Sequence, residues 1–385
     1  MKVLMLLDNV GTNDRRVQRE SEALAENGFD ITLVCLKGKN LPESETKNGV
    51  KIVRLFDGEQ LFDVKNRSYA KNIAVKLAQQ FSPDYLHTHD REMLHVAKYF
   101  LPLRPAVKHI HDIHEMHFSF PVISSGSGFM IKIKSRLVHE FRVIREKRDS
   151  KIITHFITVN ESLEEKLRLH YQLPQQGVVV RNIPEKISIA NKSNIIREKF
   201  NIPNSTKILV FIGSNIYRKV LNLEQVIDEV GNQPNLAFVF ICHNNLNKKL
   251  VEEYVKLKNY TNVYFHGLLP IHEIQEHLSS CDVGLVPTWN KVNLSYWYAL
   301  DNKLFEYMMS EIPVLATQQP EYIKIVDGYK IGVCVNPEEP NAYLNGLNKI
   351  LKDYVTYIPN LKKAKEELNW ENEKLKLINL YQQIA

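Results

Sequence analysis

The residues best suited to chemistry are Lys303 and Glu306, in the run Asp301-Asn-Lys-Leu-Phe-Glu306 ahead of Ile312-Pro-Val314. The pattern predicts a helix starting near Asn302 that feeds straight into a buried strand at Val314–Ala316. Asp301 or Asn302 is the expected N-cap, because a short side-chain oxygen accepts a bond from an early backbone N–H. Leu304, Tyr307 and Met308 then share one helix face, and Lys303 and Glu306 another. A helix start offers free N–H groups and partial positive charge, which suits an anion such as a diphosphate. Lys303 adds a full charge at that end. Glu306, one turn on, is an acceptor able to hold two hydroxyls such as those of a sugar. The alternative is an exposed Lys303–Glu306 ion pair on an ordinary amphipathic helix, worth about 0.2–0.5 kcal/mol.

Other candidates follow predicted strands. Gly213-Ser-Asn-Ile-Tyr-Arg-Lys219 comes after the strand Ile208–Ile212, and its Arg218 and Lys219 are either diphosphate ligands or solvated surface charge. Gly11, after the opening strand, either lets backbone approach a ligand or is a plain turn glycine. Histidines crowd into His87-Thr-His-Asp90 and His109-Ile-His-Asp-Ile-His-Glu-Met-His117. Their spacing matches no standard zinc pattern, so no metal is expected, and each histidine reads as a hydrogen-bonding group. Asp282 reads as a strand-start cap. Neither G-x-G-x-x-G nor G-x-x-x-x-G-K-[ST] occurs, which argues against a dinucleotide fingerprint and P-loop phosphoryl transfer.

These groups need a frame. The chain has 385 residues, enough for two domains, and strands and helices alternate through both halves. Short apolar strands separated by helices imply an α/β fold of two doubly wound Rossmann-like domains facing a central cleft, with function in the loops after strands. The polar stretch Lys186–Ser193 suggests a first domain over 1–185 and a second over 186–365, with a C-terminal helix in 366–385 packing back on the first. A net charge of +6 fits an anionic ligand or surface, and no nucleic-acid partner is expected. Lys132–Arg148 forms a basic helix with Ile133, Leu137, Phe141 and Ile144 in one stripe. That stripe is either core or a face that docks on anionic membrane. The four cysteines include no C-x-x-C pair and read as buried, reduced thiols. The opening strand is too short for a signal-peptide core, and no long apolar run could span a membrane. The expected location is the cytoplasm, peripherally on the inner face of the cell membrane.

In this order the motifs resemble family 4 retaining glycosyltransferases of GT-B fold. The resemblance runs through Asp14-Arg-Arg-Val17 with Glu20, His111-Asp-Ile-His-Glu115, Val179-Val-Arg-Asn182, Val263-Tyr-Phe-His-Gly267 and Asp282-Val-Gly-Leu-Val-Pro287. It is strongest in Asp301–Glu306 with Ile312-Pro-Val314 and Pro320-Glu321. It implies transfer of a sugar from a nucleotide-sugar to a glycan or lipid-linked acceptor in polysaccharide assembly, with retention of configuration and no cofactor or metal. It also implies residue roles. Glu306 would hold the nucleotide ribose, with Gly213 and Gly267 near the nucleotide. Arg218, Lys219, Asn302 and Lys303 would bind the diphosphate, with Gly11 close to it. His114 would lie beside the transferred sugar as a catalytic group with Lys303 and Glu306. Asp14, Arg15, Asp90 and Glu115 would face the acceptor. Three positions depart from the family pattern: Tyr298 replaces a glutamate eight residues before Glu306, Glu311 replaces a glycine, and Ser214 replaces an arginine. The alternatives are a non-catalytic nucleotide-sugar-binding partner, which Tyr298 motivates, and a sugar-nucleotide epimerase.

Overall fold

The computed structural model describes residues 1–12, 14–63, 68–120, 129–189, 192–213, 216 and 221–385. They form two compact units, Met1–Asn182 with Glu373–Ala385, and Ile183–Asn372. In the first unit, eight strands make one sheet: β1 Lys2–Leu6, β2 Asp30–Leu36, β3 Ser44–Lys47, β4 Val50–Phe56, β5 Tyr85–His89, β6 Lys108–Ile113, β7 His155–Thr158 and β8 Val178–Val179. Their order is β3-β4-β2-β1-β5-β6-β7-β8, and every pairing is parallel except β3 with β4. The strand order reverses direction between β1 and β5, so a crevice opens outside their carboxyl ends. Strand β3 is a correction to the sequence reading. Its residues Ser-Glu-Thr-Lys are polar because it is a largely exposed edge strand, so it carries no apolar signal.

The second unit holds β9 Lys207–Gly213, β10 Leu236–Cys242, β11 Val263–His266, β12 Val283–Val286, β13 Val314–Thr317 and β14 Gly332–Val335. The order is β11-β10-β9-β12-β13-β14, parallel throughout, with its reversal between β9 and β12. A helix over Tyr354–Glu367 is also absent from the sequence reading, because Pro359 inside it reads as a breaker. All four cysteines are free thiols; Cys35, Cys242 and Cys281 are buried, and Cys334 is half-buried. No described helix is long and apolar enough to cross a membrane.

The helix Asn302–Met309 lies hard against the second sheet. Leu304, Phe305, Glu306, Tyr307, Met308 and Met309 are all buried, so the exposed face of the ordinary amphipathic alternative gives way to near-complete enclosure. Tyr307 fastens it: its hydroxyl accepts from the Ile212 backbone N–H at 3.0 Å and donates to the Leu285 carbonyl at 3.1 Å. Gly284 of β12 makes room, since a Cβ there would meet the Tyr307 ring at 2.2 Å. Past the helix, Glu311 has φ +55°. That left-handed turn explains a family preference for glycine. Here the Glu311 carboxylate is held by Lys365, with Lys362 at 3.9 Å.

Candidate active site

In the second unit, the candidate residues Gly213, Asn302 and Lys303 lie near the carboxyl ends of β9 and β12, where the strand order reverses. Thr288, just past β12, donates through Oγ1 to Asp301 Oδ2 at 2.7 Å, and Thr317 at the end of β13 donates to the Thr288 carbonyl. Those bonds pin the start of the Asn302–Met309 helix to the sheet. Asp301 occupies the N-cap position, but its side chain makes no capping bond. This corrects the expected cap: the carboxylate is drawn away by Thr288 and by Lys303 Nζ at 2.6 Å. The helix start is therefore left without a side-chain cap. Its early N–H groups and partial positive charge suit an incoming anion.

Lys303 does not pair with Glu306, so the surface ion-pair alternative is also corrected. Its ammonium sits between the Asp301 carboxylate and the face of Phe211, 5.6 Å from the ring centroid. Against the desolvation of burial, the Lys303 charge and its hydrogen bond hold the Asp301 carboxyl below the usual range. Glu306 is 6% exposed, and its Oε2 accepts from Gln275 Nε2. Asn302 is exposed at the helix start, and Gly213 ends β9. Gly267 follows the edge strand β11, beyond β10 from β9, and a side chain there would meet nothing within 4 Å. The structure thus gives no steric reason for glycine at 267. Tyr298 is the C-cap of a short helix, Leu294–Trp297. Arg218 and Lys219 lie outside the described residues.

In the first unit, β-strand alternation divides the histidine cluster. His87 and His89 face one way on β5. Thr88 faces the other, its hydroxyl 2.9 Å from both His109 Nε2 and His111 Nδ1. Burial pushes His109 down to about 4 and His111 down to about 3, so both are neutral structural groups. Only His114 and His117 lie past the end of β6.

His114 is clamped. Its Nδ1 is 3.1 Å from Asp90 Oδ2, its Nε2 is 3.1 Å from Asp112 Oδ2, and its backbone N–H donates to Asp90 Oδ1 at 3.2 Å. Against the desolvation of burial, the two carboxylates raise its pKa well above the ordinary histidine value, so it is an imidazolium at neutral pH. Both ring nitrogens are thereby committed. These contacts fix the His114 ring at the turn past β6. Asp90 adopts φ +59°, rare for a side-chain-bearing residue, and its carboxylate is held by His114 and by His117 at 3.6 Å. That places Asp90 in the histidine clamp.

The remaining first-unit candidates lie at the ends of β1 and β6 and at the start of the first helix. Gly11 has φ +72°, and its N–H donates to Asn9 Oδ1 at 2.8 Å. The positive φ and this bond set Gly11 in a tight turn just past β1. Asp14 caps the helix Arg15–Glu26 by accepting from the Val17 N–H at 3.2 Å, and Arg15 opens that helix, half-buried. Glu115 is exposed after β6. Sequence reasoning missed two groups. Arg16 is 5% exposed and grips both Asp112 oxygens at 2.8 and 2.9 Å. Asp8, past the end of β1, is pushed up to about 7 by burial and then by Asp90 and Glu92. The signal for Arg16 was present in its spacing, i to i+4 with Glu20, on an otherwise core-facing stripe.

The long helix Phe129–Asp149 turns its apolar stripe outward. It anchors to its own unit through polar groups: Arg145 pairs with Glu92, and Tyr171 donates to Glu146 at 2.6 Å. Leu137 is 65% exposed and Ile144 67%, so the core reading of the Ile133–Leu137–Phe141–Ile144 stripe is overturned.

Two family models match the chain: Glycosyltransferase Family 4 over residues 14–183, and Glycosyl transferases group 1 over 206–353. An uncharacterised glycosyltransferase of Methanocaldococcus jannaschii is 21% identical, with 94% of this chain and 91% of that protein aligned. Among solved structures, a sucrose-phosphate synthase from Thermosynechococcus elongatus superposes with a TM-score of 0.78 at 17% identity, covering 100% of this chain and 99% of that one. HepE from Anabaena, solved with UDP and glucose, gives 0.68 at 11% identity with both chains fully covered. The helix start bearing Lys303 and Glu306 lies within the matched group 1 region and the histidine clamp within the matched family 4 region; the chain belongs to the group 1, family 4 glycosyltransferases and has their GT-B fold.

Proposed function

We propose that the protein moves a sugar from a nucleotide-diphospho-sugar to a glycan or lipid-linked acceptor, with retention of configuration, in cell-surface polysaccharide assembly. The observation that carries this reading is the uncapped helix start at Asn302, with Lys303 beside it and Glu306 buried one turn on. The helix start and Lys303 hold the diphosphate, with Arg218 and Lys219 adding charge, and Glu306 accepts from the ribose hydroxyls. Breaking the sugar–phosphate bond leaves extra negative charge on the diphosphate. Fixed positive groups aimed at it lower the barrier, and one such group is worth about 3 kcal/mol. The complex of Anabaena HepE with UDP and glucose supports a nucleotide-sugar donor. No cofactor or metal takes part in the transfer step.

The test is incubation with UDP-, GDP- and ADP-sugars, with and without lipid-linked acceptors, reading released nucleotide and product. One donor is expected to turn over with acceptor present. Donor binding without turnover under every condition favours a non-catalytic partner, and epimer formation without transfer favours an epimerase.

The outward stripe of the Phe129–Asp149 helix supports peripheral membrane docking. Exposed Leu137 and Ile144 lie among exposed Lys132, Lys134, Arg136, Lys147 and Arg148. Vesicles rich in anionic lipid should bind the protein, and neutral vesicles should not. Replacing Lys132 and Arg136 by Gln should weaken binding by about 2 kcal/mol, roughly thirty-fold. Equal binding to neutral vesicles at low salt would remove this docking face.

A further inference from the structure

One buried cluster in the first unit is not among the residues proposed to bind the donor. His87 and His89 lie two residues apart on β5, so they share a face of the sheet. The helix Arg15–Glu26 lays Glu20 on that face, and β6 sets Asp112 beside His89. One ligand-type atom from each of Glu20, His87, His89 and Asp112 lies within 4.8 Å of the other three. All four residues are fully buried.

The hydrogen bonding of the two rings is one-sided. His87 Nδ1 is 2.8 Å from the Tyr381 hydroxyl of the C-terminal helix Trp370–Gln383. His89 Nδ1 faces Asp112 Oδ2 at 3.5 Å. The Nε2 atoms of both rings are buried without a hydrogen-bond partner. Neither oxygen of the Glu20 carboxylate has a hydrogen bond either, although Arg16 Nη2 lies 3.1 Å from Oε1 as its ionic neighbour. Each unsatisfied buried polar group costs about 1–3 kcal/mol, so several in one place call for a shared partner. A hydrogen-bonded Nδ1 with a bare Nε2 is the arrangement of a metal-binding imidazole, whose second N–H is oriented by a carboxylate or hydroxyl. Two imidazoles and a carboxylate suit a zinc-class divalent ion.

We propose that this cluster binds one divalent transition-metal ion through His87 Nε2, His89 Nε2 and the Glu20 carboxylate. Tyr381 orients His87 and Asp112 orients His89. Asp112 belongs to the outer set because Arg16 and His114 already take its oxygens. The ion is structural: it ties the first helix and β5 together and, through Tyr381, the C-terminal helix. No transfer step passes through it.

The test uses the full chain, stripped with chelator and titrated with Co²⁺ as the spectroscopic probe, then with Zn²⁺. The expected result is one Co²⁺ per chain with visible d–d absorption, displaced by one equivalent of Zn²⁺, and a higher melting temperature. Glu20→Gln and His87→Gln should each abolish the d–d bands. Tyr381→Phe should keep the bands and weaken affinity about 10–100-fold, as loss of an outer hydrogen bond does. Near-UV circular dichroism of the stripped variants checks folding; if Glu20→Gln does not fold, His87→Gln and Tyr381→Phe decide. Absent stoichiometric uptake, or uptake unchanged by these substitutions, overturns the proposal. The readout needs no sugar donor, so its failure leaves the transferase reading standing.

Discussion

Replacing Lys303 by Ala should lower kcat/KM for sugar transfer at least about a hundred-fold, and Glu306→Ala should do the same, with each variant folded. The reasons differ. Lys303 is the charged group next to the uncapped helix start, held between Asp301 and Phe211. Its loss removes positive charge where the leaving diphosphate develops negative charge, so kcat should fall. Under the proposed function Glu306 instead holds a part of the donor that does not react. Binding energy from such remote contacts positions the reacting bond, so its loss should appear in both KM and kcat. Glu306→Gln separates charge from shape, because an amide oxygen at 306 still accepts from Gln275. The measurement is initial rate against donor concentration, with circular dichroism as the fold control. Near-normal kcat/KM in either alanine variant would remove that residue from the donor site.

Arg16→Met should destabilise the first unit by about 3–5 kcal/mol, the usual result of leaving a buried charge uncompensated. Arg16 grips both oxygens of fully buried Asp112, donates to the Val180 carbonyl at 2.6 Å and lies 3.1 Å from Glu20. Methionine fills comparable space but pairs with none of them. A loss of that size is a large share of the about 5–15 kcal/mol that holds a typical protein folded. Denaturant titration with a probe in the first unit measures it. Adding Asp112→Asn to Arg16→Met should recover part of the loss, since the amide removes the stranded charge. A loss below about 1 kcal/mol would mean that His114 alone neutralises Asp112.

Much of this molecule is legible along the chain. Strand and helix alternation survives: β9 at Lys207–Gly213 encloses the expected Ile208–Ile212, β13 at Val314–Thr317 encloses Val314–Ala316, and a helix starts at Asn302. Elements without a periodic apolar signal escape, as the polar edge strand β3 and the proline-bearing helix Tyr354–Glu367 do. The helix Asn302–Met309 was equally plain, starting where the sequence puts it.

The partners were not plain. Glu306 meets Gln275, 31 residues earlier, and Lys303 turns back to Asp301 and not forward to Glu306. The histidine run was one motif in sequence, yet strand alternation sends His109 and His111 to Thr88, and the chain beyond β6 folds His114 between two carboxylates. The stripe on the Phe129–Asp149 helix was visible, but its direction was not. Sequence by itself determined which side chains share a face, because the periods of helix and strand are properties of the local backbone. Only the tertiary structure decided what each face meets. A buried charge finds its counter-charge through space, and the distance along the chain between Arg16 and Asp112 carries no trace of the bonds that join them.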